Sequence, residues 1–395
     1  MEHFDFVLFE NYMQATHHLY DVELIARLLA HRGKKVAIFD IYHLFEDEFI
    51  NGIPILHWKP TVNYPDDSWM KKKHSKCTTI IKLLQQSKVR HRYMKEARLF
   101  IQDKADNFYC GSYHNGMSVE FFDMDKPCYW WGLRSDRLRI TWKKIIFPPF
   151  VGFRIIYEKK KFLKNPKQRL FISNDIIKEE HFRLGIPYNR MVIREERCID
   201  IIRSPNLQKL SQEVSFLVIG MLRPGKNIPF TVDAFLAANI KKSKLRLVGR
   251  STERYEKIIA KSIKGHNNIE REDRFLNYGD FNKAFIESHF VCFADEQGPS
   301  CITNGTMMEA LINCRPVICP DYEPYKSYIE KFGVGILYEG GNIHSYANAL
   351  VYAAEIGTVH FISAINNFLE TILFDRVSKA FVDSINKINN CYDKI

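Results

Sequence analysis

The sequence predicts an α/β protein built from two doubly wound, Rossmann-like domains, each a parallel sheet covered by helices. Three observations predict it. Short apolar runs alternate with amphipathic helical stretches in both halves of the chain, the pattern of successive β-α-β units. Gly220 and Gly249 each close an apolar run in the second half; they mark the carboxyl edge of a sheet, where such folds bind ligands. The length, 395 residues, exceeds what one core usually serves. Two sheets of this kind imply a cleft between them, with the sheet edges facing it.

The elements follow in order. A strand at Phe4–Phe9 leads through a polar loop, residues 10–18, to an amphipathic helix at Tyr20–His31, which stops at Gly33. A strand at Lys35–Asp40 follows, then a basic helical stretch over 76–104. Strands are expected at Asn107–Cys110, Pro127–Trp131 and Gln168–Ser173, and a helix at Asp175–Leu184 that ends on Gly185-Ile186-Pro187. Residues 196–212, broken by Ser204-Pro205-Asn206, read as the linker. Beyond it come a strand (Ser215–Ile219), a helix (Pro229–Asn239), a strand (Lys244–Val248), a helix (Glu253–Lys264), a short helix (Asn282–Ser288) and a strand (Phe290–Ala294). A helix starts near Met307, a strand runs through Val317-Ile318, and a helix at Ile343–Glu355 and one long helix over roughly 359–389 close the chain. The expected division is therefore 1–205, 206–358, and a C-terminal helix, 359–395, returning towards the first domain.

Composition narrows the function classes. Hydrophobic residues make up 46% and charged residues 26%, which is ordinary for a globular chain. No uncharged apolar run reaches the ~18 residues of a membrane-spanning helix, and the N-terminus reads as a strand rather than a signal peptide. The nine cysteines contain no C-x-x-C, so a reducing, cytoplasmic setting without disulfides or structural zinc is expected. The net charge of +11 is concentrated at 71–104 and 134–169, where lysines and arginines lie beside aromatics. That pattern suits an anionic membrane surface or a phosphate-bearing acceptor, or is simply a solvated lysine-rich face. No helix-turn-helix, RNP or zinc-finger pattern supports nucleic acid as a partner.

The chemistry-bearing residues cluster in two loops. Thr303-Asn304-Gly305-Thr306 runs directly into a helix bearing Glu309. A helix start of this kind presents unpaired N–H groups and a favourable dipole to an anion, most often a phosphate, and Glu309 one turn in suits sugar hydroxyls. The same residues also read as a Thr306-x-x-Glu309 capping box, with Gly305 supplying a turn of positive φ. The loop Gly220-Met221-Leu222-Arg223-Pro224-Gly225-Lys226-Asn227 places two cations at a strand end, fit to clamp a phosphate or merely solvated. His17, His18 and His114 are acceptor-side candidates. Asp123-Met124-Asp125 is a D-x-D of low specificity; no metal is expected.

At these residues the second half resembles the donor-binding domain of GT-B glycosyltransferases, especially glycosyltransferase family 4. That family carries a G-R-L-x-x-x-K-G loop, matched here by G-M-L-R-P-G-K-N, with Lys226 on the diphosphate-binding lysine. Met221 stands at the family arginine, and Arg223 is two residues on. Leu245–Gly249 is similar to the family's L-x-x-x-G strand end. Glu309 falls on the second glutamate of E-x7-E, the residue that contacts the nucleotide ribose. Cys314-Arg315-Pro316-Val317-Ile318 matches the G-x-P-V-I strand, with Cys314 for glycine. Arg169–Ser173, Leu184–Pro187 and Cys198–Asp200 resemble the family's approach to its linker. The departures are Cys301 at the first glutamate and the lack of a glycine-rich first loop. They leave Asp295, Glu296, or Asn304 with backbone amides as the alternatives for reading the sugar.

The resemblance implies a GT-B fold with an N-terminal acceptor domain and a C-terminal nucleotide-sugar domain. It implies transfer of a hexose from a nucleotide-diphosphate sugar to a glycan or lipid-linked glycan acceptor, with retention and without a metal or other cofactor. Lys226 and Arg223 would neutralise the leaving diphosphate, Gly220, Asn304, Gly305 and Thr306 would hold it, and Glu309 would take the ribose. Cell-surface polysaccharide synthesis at the inner membrane face is the implied setting. A GT-B-like epimerase or phosphorylase, or a non-catalytic nucleotide- or nucleic-acid-binding relative, are the alternatives.

Overall fold

The computed structural model describes residues 2–9, 16–64, 76–112, 119–132, 149–195, 197–202, 213–296 and 304–392. By their contacts they form two compact units, Met1–Glu196 with Phe374–Ile395 and Arg197–Leu373. The chain thus changes unit after residue 196 rather than after 205, and again after 373 rather than after 358.

The first unit carries β1 (Phe4–Leu8), α1 (Thr16–Ala30), β2 (Val36–Phe39), β3 (Phe49–Ile50), β4 (Ile53–Leu56), α2 (Lys76–Ile101), β5 (Ala105–Ser112), β6 (Cys128–Trp131), α3 (Pro149–Lys164), β7 (Gln168–Ile172), α4 (Asp175–Arg183) and β8 (Met191–Ile193). The sheet order is β3-β4-β2-β1-β5-β6-β7-β8. Every pairing is parallel except the short β3–β4 hairpin. β6 (CYWW) and β7 (QRLFI) are buried at every position, as strands covered on both faces must be. Several of their polar groups pair internally. Trp130 Nε1 donates to Gln168 Oε1 at 2.7 Å, and Arg169 Nη1 donates to Tyr129 Oη at 2.8 Å.

The second unit carries β9 (Val214–Ile219), α5 (Ile228–Ala238), β10 (Ser243–Val248), α6 (Glu253–Ile263), β11 (Ile269–Glu272), α7 (Tyr278–Ile286), β12 (Phe290–Cys292), α8 (Gly305–Ile312), β13 (Val317–Pro320), α9 (Tyr325–Phe332), β14 (Gly335–Tyr338), α10 (Ile343–Ile356) and α11 (Ile362–Thr371). Its six strands are all parallel, in the order β11-β10-β9-β12-β13-β14. The order reverses between β9 and β12. Successive strands run outward in one direction from β9 and in the other from β12, so the loops after these two strands diverge and leave a crevice, the usual ligand position in such sheets.

Both sheets are the parallel, doubly wound kind that the alternation predicts. The tail departs from expectation. The single helix expected over 359–389 is a 3₁₀ turn (Thr358–Phe361), α11, and α12 (Phe374–Tyr392). The break falls where Ile199 N–H donates to Ile372 O at 3.0 Å and Ile199 pairs with Leu373. Only α12 belongs to the first unit. It buries Val377, Phe381, Val382 and Ile385, stacks Phe381 on Phe171 with centroids 4.9 Å apart, and receives a hydrogen bond from Tyr129 Oη at Asn389 Oδ1, 2.8 Å. No single helix among the described residues is long and apolar enough to cross a membrane.

Candidate functional site

The site is built from the loops that leave β9 and β12. β9 ends at Ile219, and Gly220 takes φ +103°, a backbone state that costs a side chain dearly and glycine little. The turn is forced by crowding: a Cβ added to Gly249 would sit 2.0 Å from the Gly220 carbonyl oxygen. The two glycines that close β9 and β10 therefore touch backbone to backbone. Arg223, exposed, then caps a 3₁₀ turn, Pro224–Lys226, and Asn227, at φ +46°, starts α5.

This turn folds Lys226 back over the end of its own strand. Lys226 Nζ donates to Ile219 O at 2.8 Å. A Cβ at Gly220 would lie 3.7 Å from both Lys226 Nζ and Thr306 Oγ1. Gly220 and Lys226, from one loop, and Thr306, eighty residues later, thus share one corner. Lys226 is half-buried, and loss of solvent pushes its pKa below the usual lysine value; Asp295 opposes that shift and Arg223 adds to it. Glu296 N–H donates to Gly225 O at 2.9 Å, so the loop after β12 is tied to the lysine turn.

The helix start differs from expectation in three respects. α8 begins at Gly305 rather than Met307, and Asn304 is its cap. Asn304 Oδ1 accepts from Thr306 N at 3.0 Å and Met307 N at 3.3 Å. The Thr306–Glu309 capping box is therefore absent, because a carboxamide two residues earlier already serves the first-turn amides. Gly305 is not among the positive-φ glycines; it is simply the first helical residue. Thr306 is released from capping and directs its hydroxyl to the Gly220 corner.

Glu309 is largely buried. Desolvation raises its pKa above the usual carboxylate value, and Arg197 opposes the shift. Arg197 Nε lies 3.4 Å from Glu309 Oε1. Sequence reading missed Arg197, which sits at the start of the second unit with no motif around it. It also missed Tyr325, the first residue of α9, whose hydroxyl donates to Asp295 Oδ2 and accepts from Asn304 Nδ2, both at 2.6 Å. A depression of about 510 Å³ opens at the ends of β10 and β11, lined among others by Arg250, Ser251, Arg274 and Phe275. It adjoins the Leu222–Ser251 bridge that joins it to the lysine loop. Phe275 is 79% exposed.

The remaining candidates do not join this corner. The side chains of His17 and His18, together with His114 and Cys301, lie outside the described residues. Asp123 and Asp125 pair separately, with Lys161 and Lys167, each at 2.8 Å, which accounts for the D-x-D as two surface ion pairs.

No family model matches the chain, and no curated protein matches it. Solved structures do. A glycosyltransferase from Rickettsia africae aligns with a TM-score of 0.66 at 13% identity, over 98% of each chain. HepE of Anabaena, in complex with UDP, aligns with a TM-score of 0.64 at 11% identity, over 98% of this chain and 100% of that one. The lipopolysaccharide outer core galactosyltransferase WaaB aligns with a TM-score of 0.60 at 13% identity, over 97% and 99%. The chain has the GT-B fold. Within that fold the Gly220–Lys226–Thr306 corner lies at the switch point of the second sheet.

Proposed function

We propose that this GT-B protein is a glycosyltransferase that moves a hexose from a nucleoside-diphosphate sugar to a glycan or lipid-linked glycan, with retention of configuration. The observation that carries the reading is the convergence of Gly220, Lys226 and Thr306 at the switch point of the second sheet. An ammonium, a hydroxyl and the start of a helix there form an anion grip in the place where open α/β sheets bind nucleotides.

The roles follow from charge. As the sugar C1–O bond breaks, negative charge grows on the departing diphosphate. Lys226, Arg223, the Thr306 hydroxyl and the Gly305 N–H at the start of α8 stabilise that charge more in the transition state than in the ground state, which is what lowers the barrier. Asn304 occupies the Thr306 and Met307 amides and fixes the helix start, so the Gly305 N–H is the first-turn donor left for a phosphate oxygen. Glu309 accepts from the ribose hydroxyls. The depression at β10 and β11 takes the nucleoside, with the exposed Phe275 ring as a stacking face. No side chain need serve as a base, because the acceptor's proton passes to the leaving phosphate. The residues suit this chemistry without a metal.

On the acceptor side, α3 exposes Ile156 and Tyr157 beside Lys160 and Lys164. That combination supports an anionic membrane surface at the cytoplasmic face, in cell-surface polysaccharide synthesis. Flotation with vesicles that contain anionic lipid, against neutral vesicles, tests it; equal binding to both defeats it.

The function is tested by thermal shift with a panel of nucleotide sugars, followed by product analysis with the donor that shifts most. Transfer or slow donor hydrolysis above background is the expected result. Interconversion of the donor alone would make the protein an epimerase, and binding without turnover would make it a nucleotide-binding relative.

A further inference from the structure

We propose that Tyr325 is a positioning residue for the diphosphate corner, acting through Asn304. This rests on the reading of that corner as a nucleoside-diphosphate site. Tyr325 is 2% exposed, and its ring packs on Phe293 with centroids 5.3 Å apart. Its hydroxyl joins two other segments, the end of β12 at Asp295 Oδ2 and the cap of α8 at Asn304 Nδ2, each at 2.6 Å.

The direction of each bond is dictated by chemistry. An ionised carboxylate only accepts, so the phenol's single proton goes to Asp295. The phenol oxygen then accepts from the Asn304 amide nitrogen, which turns the Asn304 carbonyl towards the helix. There it meets the Thr306 and Met307 amides. Burial, and then Asp295, push the Tyr325 pKa far above its ordinary value, so the proton stays in place across the working pH range. Asp295 also faces Lys226 and supports its charge. One buried hydroxyl therefore holds both arms of the grip, the carboxylate beside the lysine and the cap of the helix. Free of this anchor, the Asn304 carboxamide rotates and the first turn of α8 loses its fixed aim.

The test uses the full chain and calorimetric titration of UDP, GDP and ADP, each against its monophosphate. For the nucleotide the wild type prefers, Tyr325→Phe should lose about 10-fold or more in diphosphate affinity, the scale of second-layer orienting groups, with monophosphate affinity unchanged within about 2-fold. The double variant Tyr325→Phe/Asn304→Ala should match Asn304→Ala alone, because a residue acting through another adds nothing once that other is gone. Asp295→Leu provides the second line should Tyr325→Phe not fold. Removal of a carboxylate near an anion site ought to tighten anion binding by Coulomb's law, whereas loss of the phenol's anchor predicts weaker diphosphate binding. Independent, multiplying losses in the double variant, equal losses for diphosphate and monophosphate, or tighter binding in Asp295→Leu would each reduce Tyr325 to a structural tie. A wild type that prefers no diphosphate over its monophosphate would instead overturn the diphosphate reading of the corner, and this inference with it.

Discussion

Replacement of Lys226 is the most direct test of the corner. A phosphate oxygen about 4 Å from Nζ interacts with it by ~4 kcal/mol at an effective dielectric of about 20. Lys226 is half-buried and already donates to Ile219 O, so part of that attraction replaces an existing bond; with a bond to a charged group set against a neutral one, the net is roughly 3 kcal/mol. At about 1.4 kcal/mol per decade, turnover should fall roughly 10²-fold, the size of effect seen when one preorganised donor is removed. Lys226→Met is the better variant, since it keeps the apolar stem and removes only the ammonium. Burial already disfavours that charge, so the melting temperature of Lys226→Met should equal or exceed that of the wild type. The assay is release of nucleoside diphosphate from the donor identified by thermal shift. Wild-type turnover in a folded Lys226→Met protein would remove the lysine from the mechanism.

Four further outcomes are expected. Gly249→Ala should fail to fold or melt far below wild type, because its Cβ would meet the Gly220 carbonyl at 2.0 Å, whereas Gly220→Ala should fold with a lowered melting temperature and lose diphosphate affinity; a soluble, fully stable Gly249→Ala would contradict the backbone contact. Glu309→Gln should weaken nucleotide binding yet raise the melting temperature at neutral pH. The raised pKa of Glu309 means its charged form opposes folding, so the stabilisation should be present above the folded pKa and shrink as acidification protonates the wild-type carboxyl; a pH-independent difference would refute the assignment. Phe275→Ala should cost about 1–3 kcal/mol for nucleoside diphosphate and monophosphate alike, and an effect on only one of them would place the base elsewhere. Deletion of residues 374–395 removes four buried apolar side chains, Val377, Phe381, Val382 and Ile385, worth about 6–12 kcal/mol at full burial; that is comparable to a whole domain's stability, and circular dichroism melts should show the first unit's transition lost.

Much of the fold is legible in the sequence because its strands are doubly covered. Phe4–Leu8 and Val214–Ile219 are apolar runs broken by one polar residue each, and such runs declare themselves. Among the strands, what escaped lies at the edges, and the helices at Pro149–Lys164 and Tyr325–Phe332 escaped as well. Ile269–Glu272 reads IERE, with one buried residue in four, since a strand with one neighbour need not be apolar. Gly335–Tyr338 is the opposite edge of the same sheet, and the Phe49–Leu56 hairpin is only two and four residues long on its two arms. The break between α11 and α12 escaped because the apolar period runs unbroken through 359–389; pairing with Ile199 decides it. In the site, Gly220 and Lys226 stand out as a glycine-closed strand end followed by a basic loop. Arg197 and Tyr325 were not, because their partners, Glu309, Asp295 and Asn304, come from distant segments, and an isolated arginine or tyrosine carries no local signal of such a tie. The helix cap is ambiguous in the sequence for a related reason. Asn304 and Thr306 both cap well, and the Tyr325 bond that holds the Asn304 side chain comes from a distant segment.

The C-terminal helix bears on how the protein is made. Residues 197–373 are synthesised as an uninterrupted stretch and hold a whole sheet with its covering helices, so this unit draws no strand or covering helix from elsewhere in the chain. The earlier-made sheet has to wait, with the Tyr129 and Phe171 face unsealed, until 374–392 emerge. The later-encoded half should therefore reach its native state first, and a stalled or truncated chain would present an open aromatic surface to chaperones.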